Sequence, residues 1–226
     1  MYLRYIFTAI IVALLPTASM ASLTLDKVII DIADQETGRA DIELANEGAE
    51  RMYVAVEPFE ILKPDQSDET RVELPIGDES PLFVSPRRLI LEAGERRLVR
   101  IAAIGGRPES ERTFRVRIRP VAGEVVGEDS GLKLMIGYDT LVLLRPSNRK
   151  GSLTVVRESE KILVRNDSNT SYEFFDGKAC QTEQKSCRSI KPNRLYPGEA
   201  WEISAMRQEK IEFSRIVNGK TERVTF

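Results

Sequence analysis

Leu132-Lys133-Leu134-Met135-Ile136-Gly137-Tyr138-Asp139-Thr140-Leu141-Val142-Leu143-Leu144-Arg145-Pro146 is the stretch on which the reading of this chain turns. It opens with strict alternation: Leu132, Leu134 and Ile136 point one way, Lys133 and Met135 the other. Gly137 interrupts the run, as a bulge glycine would. Leu141 to Leu144 are then apolar at every position, the pattern of a strand covered on both faces. Arg145-Pro146 ends it, because proline cannot donate to a ladder. The polar, Gly-rich segment 122–131 comes before, so the strand is free to sit at a sheet edge. Natural edges are short, charged or covered. A long edge with three aliphatics on one face is expected to be lent to another protein.

The first 21 residues read as a secretory signal peptide. Arg4 supplies a positive start, Ile6 to Leu15 an apolar run too short to span a bilayer, and Ser19-Met20-Ala21 a small-residue site with cleavage after Ala21. No cysteine follows the site, so no lipid anchor is indicated. No later segment has membrane-spanning length, so an exported protein without membrane insertion is expected.

Beyond Ala21 the chain has 32 basic and 35 acidic residues. The signs are interspersed, so no basic field points to nucleic acid. The chain has no histidine. That rules out Ser-His-Asp and Cys-His catalysis and removes the commonest zinc ligand. No pair of carboxylates stands out for acid–base work, so neither an enzyme, a metal nor a cofactor is expected. Cys180 and Cys187 are the only cysteines, and in an exported chain an even count reads as a disulfide.

The rest of the chain has period 2. Thr24 to Ile32 is β-branched and aliphatic. Ala40, Ile42 and Leu44 alternate with charges, and Asn46-Glu47-Gly48 turns the chain. Met52 to Leu62 reads as a strand in which Pro58 marks a break or an edge. Leu82 to Val84, Leu89 to Leu91 and Arg96 to Ala103 follow. Phe114, Val116 and Ile118 alternate with Arg115, Arg117 and Arg119, a half-buried strand with a solvated arginine face. A second series begins after Ser147-Asn148-Arg149, and Asn218-Gly219 marks a hairpin near its end. No long helical period is present. Trp201 is expected in the core. Leu91-Glu92-Ala93-Gly94-Glu95 and Leu195-Tyr196-Pro197-Gly198-Glu199 share L-x-x-G-E, a short internal echo. The expected fold is all-β: two β-sandwich domains, residues 22–145 and 148–226. Asn166-Asp167-Ser168 and Asn169-Thr170-Ser171 match a glycosylation sequon, which matters only in a eukaryotic secretory pathway.

Several stretches, in this order, resemble the PapD-like periplasmic chaperones of the chaperone–usher pathway. Ser22-Leu23…Lys27…Asp31 is similar to the family's first strand. Phe83-Val84-Ser85-Pro86-Arg87-Arg88-Leu89…Gly94-Glu95…Val99-Arg100-Ile101 resembles its signature. Glu111-Arg112-Thr113-Phe114-Arg115-Val116 resembles the start of its next-to-last strand. Leu132, Leu134 and Ile136, leading to Arg145-Pro146, match its donor strand in spacing. The cysteine pair and L-Y-P-G-E resemble the alternative fimbrial branch.

The resemblance implies a boomerang of two immunoglobulin-like β-sandwich domains that works in the periplasm, binds and caps pilus or fimbrial subunits by donor-strand complementation and delivers them to an outer-membrane usher. It implies that Leu132, Leu134 and Ile136 are the donated surface and that Lys27 anchors the subunit's C-terminal carboxylate. It also implies that Arg145 pairs with an acid near Glu111 and with the second domain, which sets the interdomain angle. Where the family has a second basic anchor, four residues before R-P, this chain has Leu141. Without the resemblance, Lys27 is an ordinary edge-strand lysine and Leu132, Leu134 and Ile136 an ordinary core face. A structural or adhesive surface protein built of two sandwiches is the alternative. Its weakness is that a pilus subunit is expected to lack a strand and carry an N-terminal extension.

Overall fold

In the computed structural model, residues 23–33, 38–77, 79–121, 135–181, 186–217 and 220–226 are described, and all their regular elements are strands. In chain order the first ten are β1 (Leu23–Leu25), β2 (Ile29–Ile32), β3 (Arg39–Asn46), β4 (Met52–Leu62), β5 (Thr70–Glu73), β6 (Leu82–Ser85), β7 (Arg88–Leu91), β8 (Arg96–Ala103), β9 (Arg112–Val121) and β10 (Tyr138–Leu144). They make two sheets. One has the order β1-β3-β8-β6; the other has the order β2-β10-β9-β4-β5, with β7 also on β4. The sheets face each other over a core that includes Ile42, Leu44, Val99, Ile101, Phe114, Val116, Ile118 and Val142. Period-2 alternation produces this packing. In β9 Phe114, Val116 and Ile118 are fully buried while Arg115, Arg117 and Arg119 point outward.

The second series comprises β11 (Leu153–Arg157), β12 (Lys161–Asn166), β13 (Tyr172–Gln181), β14 (Ser186–Ile190), β15 (Asn193–Leu195), β16 (Ala200–Ser204), β17 (Glu209–Val217) and β18 (Lys220–Thr225). Sheets β11-β12-β16 and β14-β13-β17-β18 enclose a smaller, aromatic core. Trp201 packs there, 5.6 Å from Phe174 and 5.1 Å from Phe213 between ring centroids. Cys180 and Cys187 are register partners on β13 and β14 and are disulfide-bonded. β17 and β18 pair as an antiparallel hairpin, with Val217 opposite Lys220.

The single strand expected over Thr24 to Ile32 is two strands in two sheets. β1 pairs antiparallel with β3, and β2 pairs parallel with β10. The chain crosses between the sheets at Asp26, Lys27 and Val28. A second crossing lies between β6, on β8, and β7, on β4, and it contains Pro86, which has no N–H to leave unpaired. Pro58 does not break β4. It sits where β4 changes partner on one edge, between β7 at Met52–Ala55 and β5 at Phe59–Leu62. A missing N–H costs least in such a gap, and the Pro58 carbonyl still accepts from Leu74 N at 3.1 Å.

The L-x-x-G-E echo is a structural repeat. Glu95 Oε2 accepts from Glu92 N and Glu199 Oε2 from Tyr196 N, both at 2.8 Å, closing equivalent turns. Gly94 and Gly198 hold φ of 73° and 82°, which glycine adopts without strain. Each turn docks on a wholly buried asparagine, Asn46 or Asn166. The Asn46 side-chain amide donates to the carbonyls of Glu50 and Leu91, and that of Asn166 to those of Thr170 and Leu195. Both side-chain oxygens accept from the N–H two residues on, at 3.0 Å.

Candidate interface around β10 and the cleft between the sandwiches

β10 is hydrogen-bonded to β9 along its whole length, Tyr138 opposite Ile118 through Leu144 opposite Arg112, without a register shift. On its other side β2 begins only at Leu141, whose N–H donates to Val28 O at 2.9 Å. The expected edge strand is therefore interior over Leu141–Leu144. Among the described residues, Tyr138, Asp139 and Thr140 keep an open second edge. The cause is the crossing at residues 26–28, which takes the first strand away from β10 at that point. Tyr138 Oη donates to Leu23 O at 2.9 Å, tying the open segment to β1. Ile136, just before it, is 66% exposed and its neighbour Met135 is exposed too; Val28, next to Leu141, is also exposed. Leu132 and Leu134 lie outside the described residues.

Gly137 is no bulge. A Cβ there would come within 2.8 Å of Arg119 Cβ and 3.1 Å of Ile118 O, so glycine is needed for close approach to β9.

The outward faces of Leu141 and Leu143 are covered by Tyr196 of the second sandwich, and all three are nearly sealed from solvent. This is why both faces of β10 are apolar. One faces the sandwich core and the other the second sandwich. Burial pushes the Tyr196 hydroxyl up to about 12, so it stays neutral. Leu141, where the resemblance has a second cation, is a packing residue. Beside it opens a cleft of about 230 Å³ lined by Leu141, Thr113, Arg115, Asp65, Arg194 and Tyr196.

Lys27 sits in the sheet crossing. Its ammonium lies 3.1 Å from the Asp26 carboxylate, and both side chains are exposed. Asp26 in turn accepts from Glu43 N of β3 at 2.9 Å. Asp41, also on β3, is held below the usual carboxylate range mainly by its hydrogen bond to Arg100, with a small contribution from Lys27.

Arg145 is the polar centre of the contact between sandwiches, and its side chain is 9% exposed. Its Nε and Nη2 form a fork on the Asp31 carboxylate, each bond 2.9 Å at its shortest. Nη1 donates to Glu111, to Thr170 Oγ1 at 2.7 Å and to Ser171 Oγ at 3.0 Å. Glu111, whose side chain is fully buried, also accepts from Ser171 N at 2.7 Å and Thr170 Oγ1 at 3.0 Å. Burial alone would make the guanidinium easier to deprotonate. Asp31 and Glu111 outweigh that and hold its pKa above the ordinary arginine value. Arg107 donates to the carbonyls of Ile32 and Arg145, capping the parallel ends of β2 and β10.

Glu111 and Arg145 are singled out only by the resemblance, in which Asp31 appears without a role. Thr170, Ser171 and Tyr196 are not assigned to this contact by the sequence, because their partners lie far along the chain. The one hint was the second L-x-x-G-E, which contains Tyr196. Among the described residues no group of three or more His, Cys, Asp or Glu could hold a metal ion, and no helix is long and apolar enough to cross a membrane.

No protein-family model matches this sequence, and no curated protein matches it either. Solved structures do match. The class 5 fimbriae chaperone CfaA superposes with a TM-score of 0.70 at 19% identity, over 91% of this chain and 98% of that one. A chaperone–tip adhesin complex of CFA/I fimbriae biogenesis gives 0.63 at 20% identity, over 85% and 94%. The Salmonella enterica SafA pilin–SafB chaperone complex gives 0.60 at 19%, over 91% and 95%. With two sandwiches joined through Arg145 and matched over nearly their whole length, this chain has the fold of the chaperone–usher pilus chaperones.

Proposed function

We propose that this chain is a non-enzymatic periplasmic chaperone that captures and caps pilus subunits by lending them a strand, then passes them to an outer-membrane usher. The observation that carries this reading is the open edge of β10 at Tyr138–Thr140 beside the exposed Ile136. An incoming strand there gains backbone hydrogen bonds, and alternate side chains provide specificity. In sequence the alternation runs back from Ile136 through Leu134 to Leu132. Burying each of these in a subunit's groove is worth about 1.5–3 kcal/mol, less the ordering cost of association. The neighbours solved in complex with a tip adhesin and with a pilin support this class of partner. In this reading residues 22–145 capture the subunit, residues 148–226 form the second domain, and Lys27 engages the subunit's terminal carboxylate as a point charge. Residues 1–21 direct export.

The test is expression of the full chain together with the candidate pilus subunits of its source, followed by affinity recovery from the periplasm. A one-to-one complex is expected, with the recovered chain starting at Ser22 and the partner identified by N-terminal sequencing. Recovery of the chain alone from cells that make the subunits would overturn the reading.

A further inference from the structure

Along β10 the backbone groups alternate between its two neighbours. The N–H groups of Leu141 and Arg145 turn toward β2, donating to Val28 O at 2.9 Å and to Ile32 O at 3.2 Å. Asp139 stands two residues before Leu141. In the open segment Tyr138–Thr140 its C=O therefore turns to the free side, while those of Tyr138 and Thr140 turn to β9. An unpaired edge carbonyl is a template on which another chain can pair.

That carbonyl is already taken by a side chain of the same sheet. The outward face of β9 carries Arg115, Arg117 and Arg119. Arg119 pairs with Glu57 at 2.7 Å. Arg117 lies over the Phe59 ring, 5.0 Å from its centroid, and 3.9 Å from Glu57. Arg115 differs. It is the register partner of Leu141, and among the described residues no carboxylate lies within ion-pair distance of it. Its Nη1 donates instead to Asp139 O at 3.1 Å. Arg71, opposite Ile61 on β4, holds the Asp139 carboxylate at 2.8 Å, so Asp139 is fixed through both its backbone and its side chain. A strand adding to this edge must bring its own N–H to Asp139 O and meets the guanidinium there.

We propose that Arg115 is a latch on the open edge of β10. It caps Asp139 O in the free protein and swings away before a subunit strand pairs at that position, so strand addition is slower than the bare edge would allow. This rests on the chaperone reading above and adds a control on the same edge. The role is one of positioning: Arg115 acts through the Asp139 carbonyl and not by binding the subunit.

The probe is an N-acetylated, C-amidated peptide of alternating valine and threonine, which carries no charge. Its association and dissociation rates are measured by biolayer interferometry with the mature protein and with Arg115→Ala, Arg115→Lys and Arg117→Ala. Denaturation midpoints confirm that each variant is folded. Arg115→Ala is expected to associate on the order of tenfold faster than the unaltered protein, with dissociation unchanged. Arg115→Lys, which keeps a donor, should fall between the two. Arg117→Ala removes the same charge from the same face and should leave both rates alone. Association of Arg115→Ala at the unaltered rate, or an equal acceleration in Arg117→Ala, overturns the latch and leaves strand capture standing. Binding of the peptide to none of the four proteins also overturns it. Recovery of a subunit complex from the periplasm then decides separately whether the chaperone reading stands.

Discussion

Asn46 and Asn166 show what a single residue can do in this fold. Each is fully buried and uses its amide to join two turns of its own sandwich. A buried carbonyl left without a donor costs about 1–3 kcal/mol. Asn166→Ala removes the amide donor of Leu195 O and one of two donors of Thr170 O, which Ser168 Oγ also serves at 2.8 Å, so the stability measured by circular-dichroism denaturation should fall by about that amount. An unchanged midpoint would mean that water replaces the amide. Glu199 gives a pH prediction. Burial raises its pKa, opposed by the hydrogen bond from Tyr196 N, and its Oε1 is buried without a hydrogen-bond partner. A carboxyl with a folded pKa above its unfolded value binds more protons when folded. Its contribution is therefore greatest below the unfolded pKa and is lost as pH rises through the folded one. Glu199→Gln, which keeps an acceptor for Tyr196 N, should raise the midpoint at pH 7 and lose that advantage near pH 4. An equal shift at both pH values would refute the assignment.

At the level of the element, β10 and the segment before it divide the labour. Val142 and Leu144 face the sandwich core, and Leu141 and Leu143 the second sandwich. Ile136 faces solvent. If Leu134 lined the protein's own core, Leu134→Ala would leave a cavity and cost about 2–5 kcal/mol. If it enters a subunit instead, the free chaperone should lose little and complex recovery should fall sharply. Two measurements on Leu134→Ala decide this: the denaturant midpoint of the chaperone alone and the yield of subunit complex. A large drop in midpoint with a merely proportional drop in yield would remove the mechanism. Leu134→Glu should abolish capture, because an unpaired carboxylate cannot enter an apolar groove without severe cost.

For the whole molecule, the relation between the sandwiches rests on Arg145 and on the Leu141–Leu143–Tyr196 contact. Arg145→Ala would leave the fully buried Glu111 charge without its cation. Removing one partner of a buried pair costs about 3–5 kcal/mol. The expected outcome is a lower midpoint together with a broader interdomain distance distribution in small-angle scattering. A loss of stability with an unchanged distribution would show that the Tyr196 contact and the hydrogen bonds of Asn169 to Glu109 and Glu111 hold the two halves together without Arg145. The all-β class, the alternation of β9 and the cysteine pair were legible in the sequence, because periodicity and composition are local properties. Glu111 and Arg145 were singled out only by the resemblance. Other features depended on contacts between residues far apart in the chain. Tertiary structure alone split the first strand at Lys27, carried Pro58 through β4, and packed Leu141 under Tyr196. It also left Arg115 without a carboxylate partner, because Arg71 takes Asp139 and Glu57 serves Arg117 and Arg119. Alternation tells which side chains share a face, but what covers that face is settled only when the sheets and the second sandwich close over it.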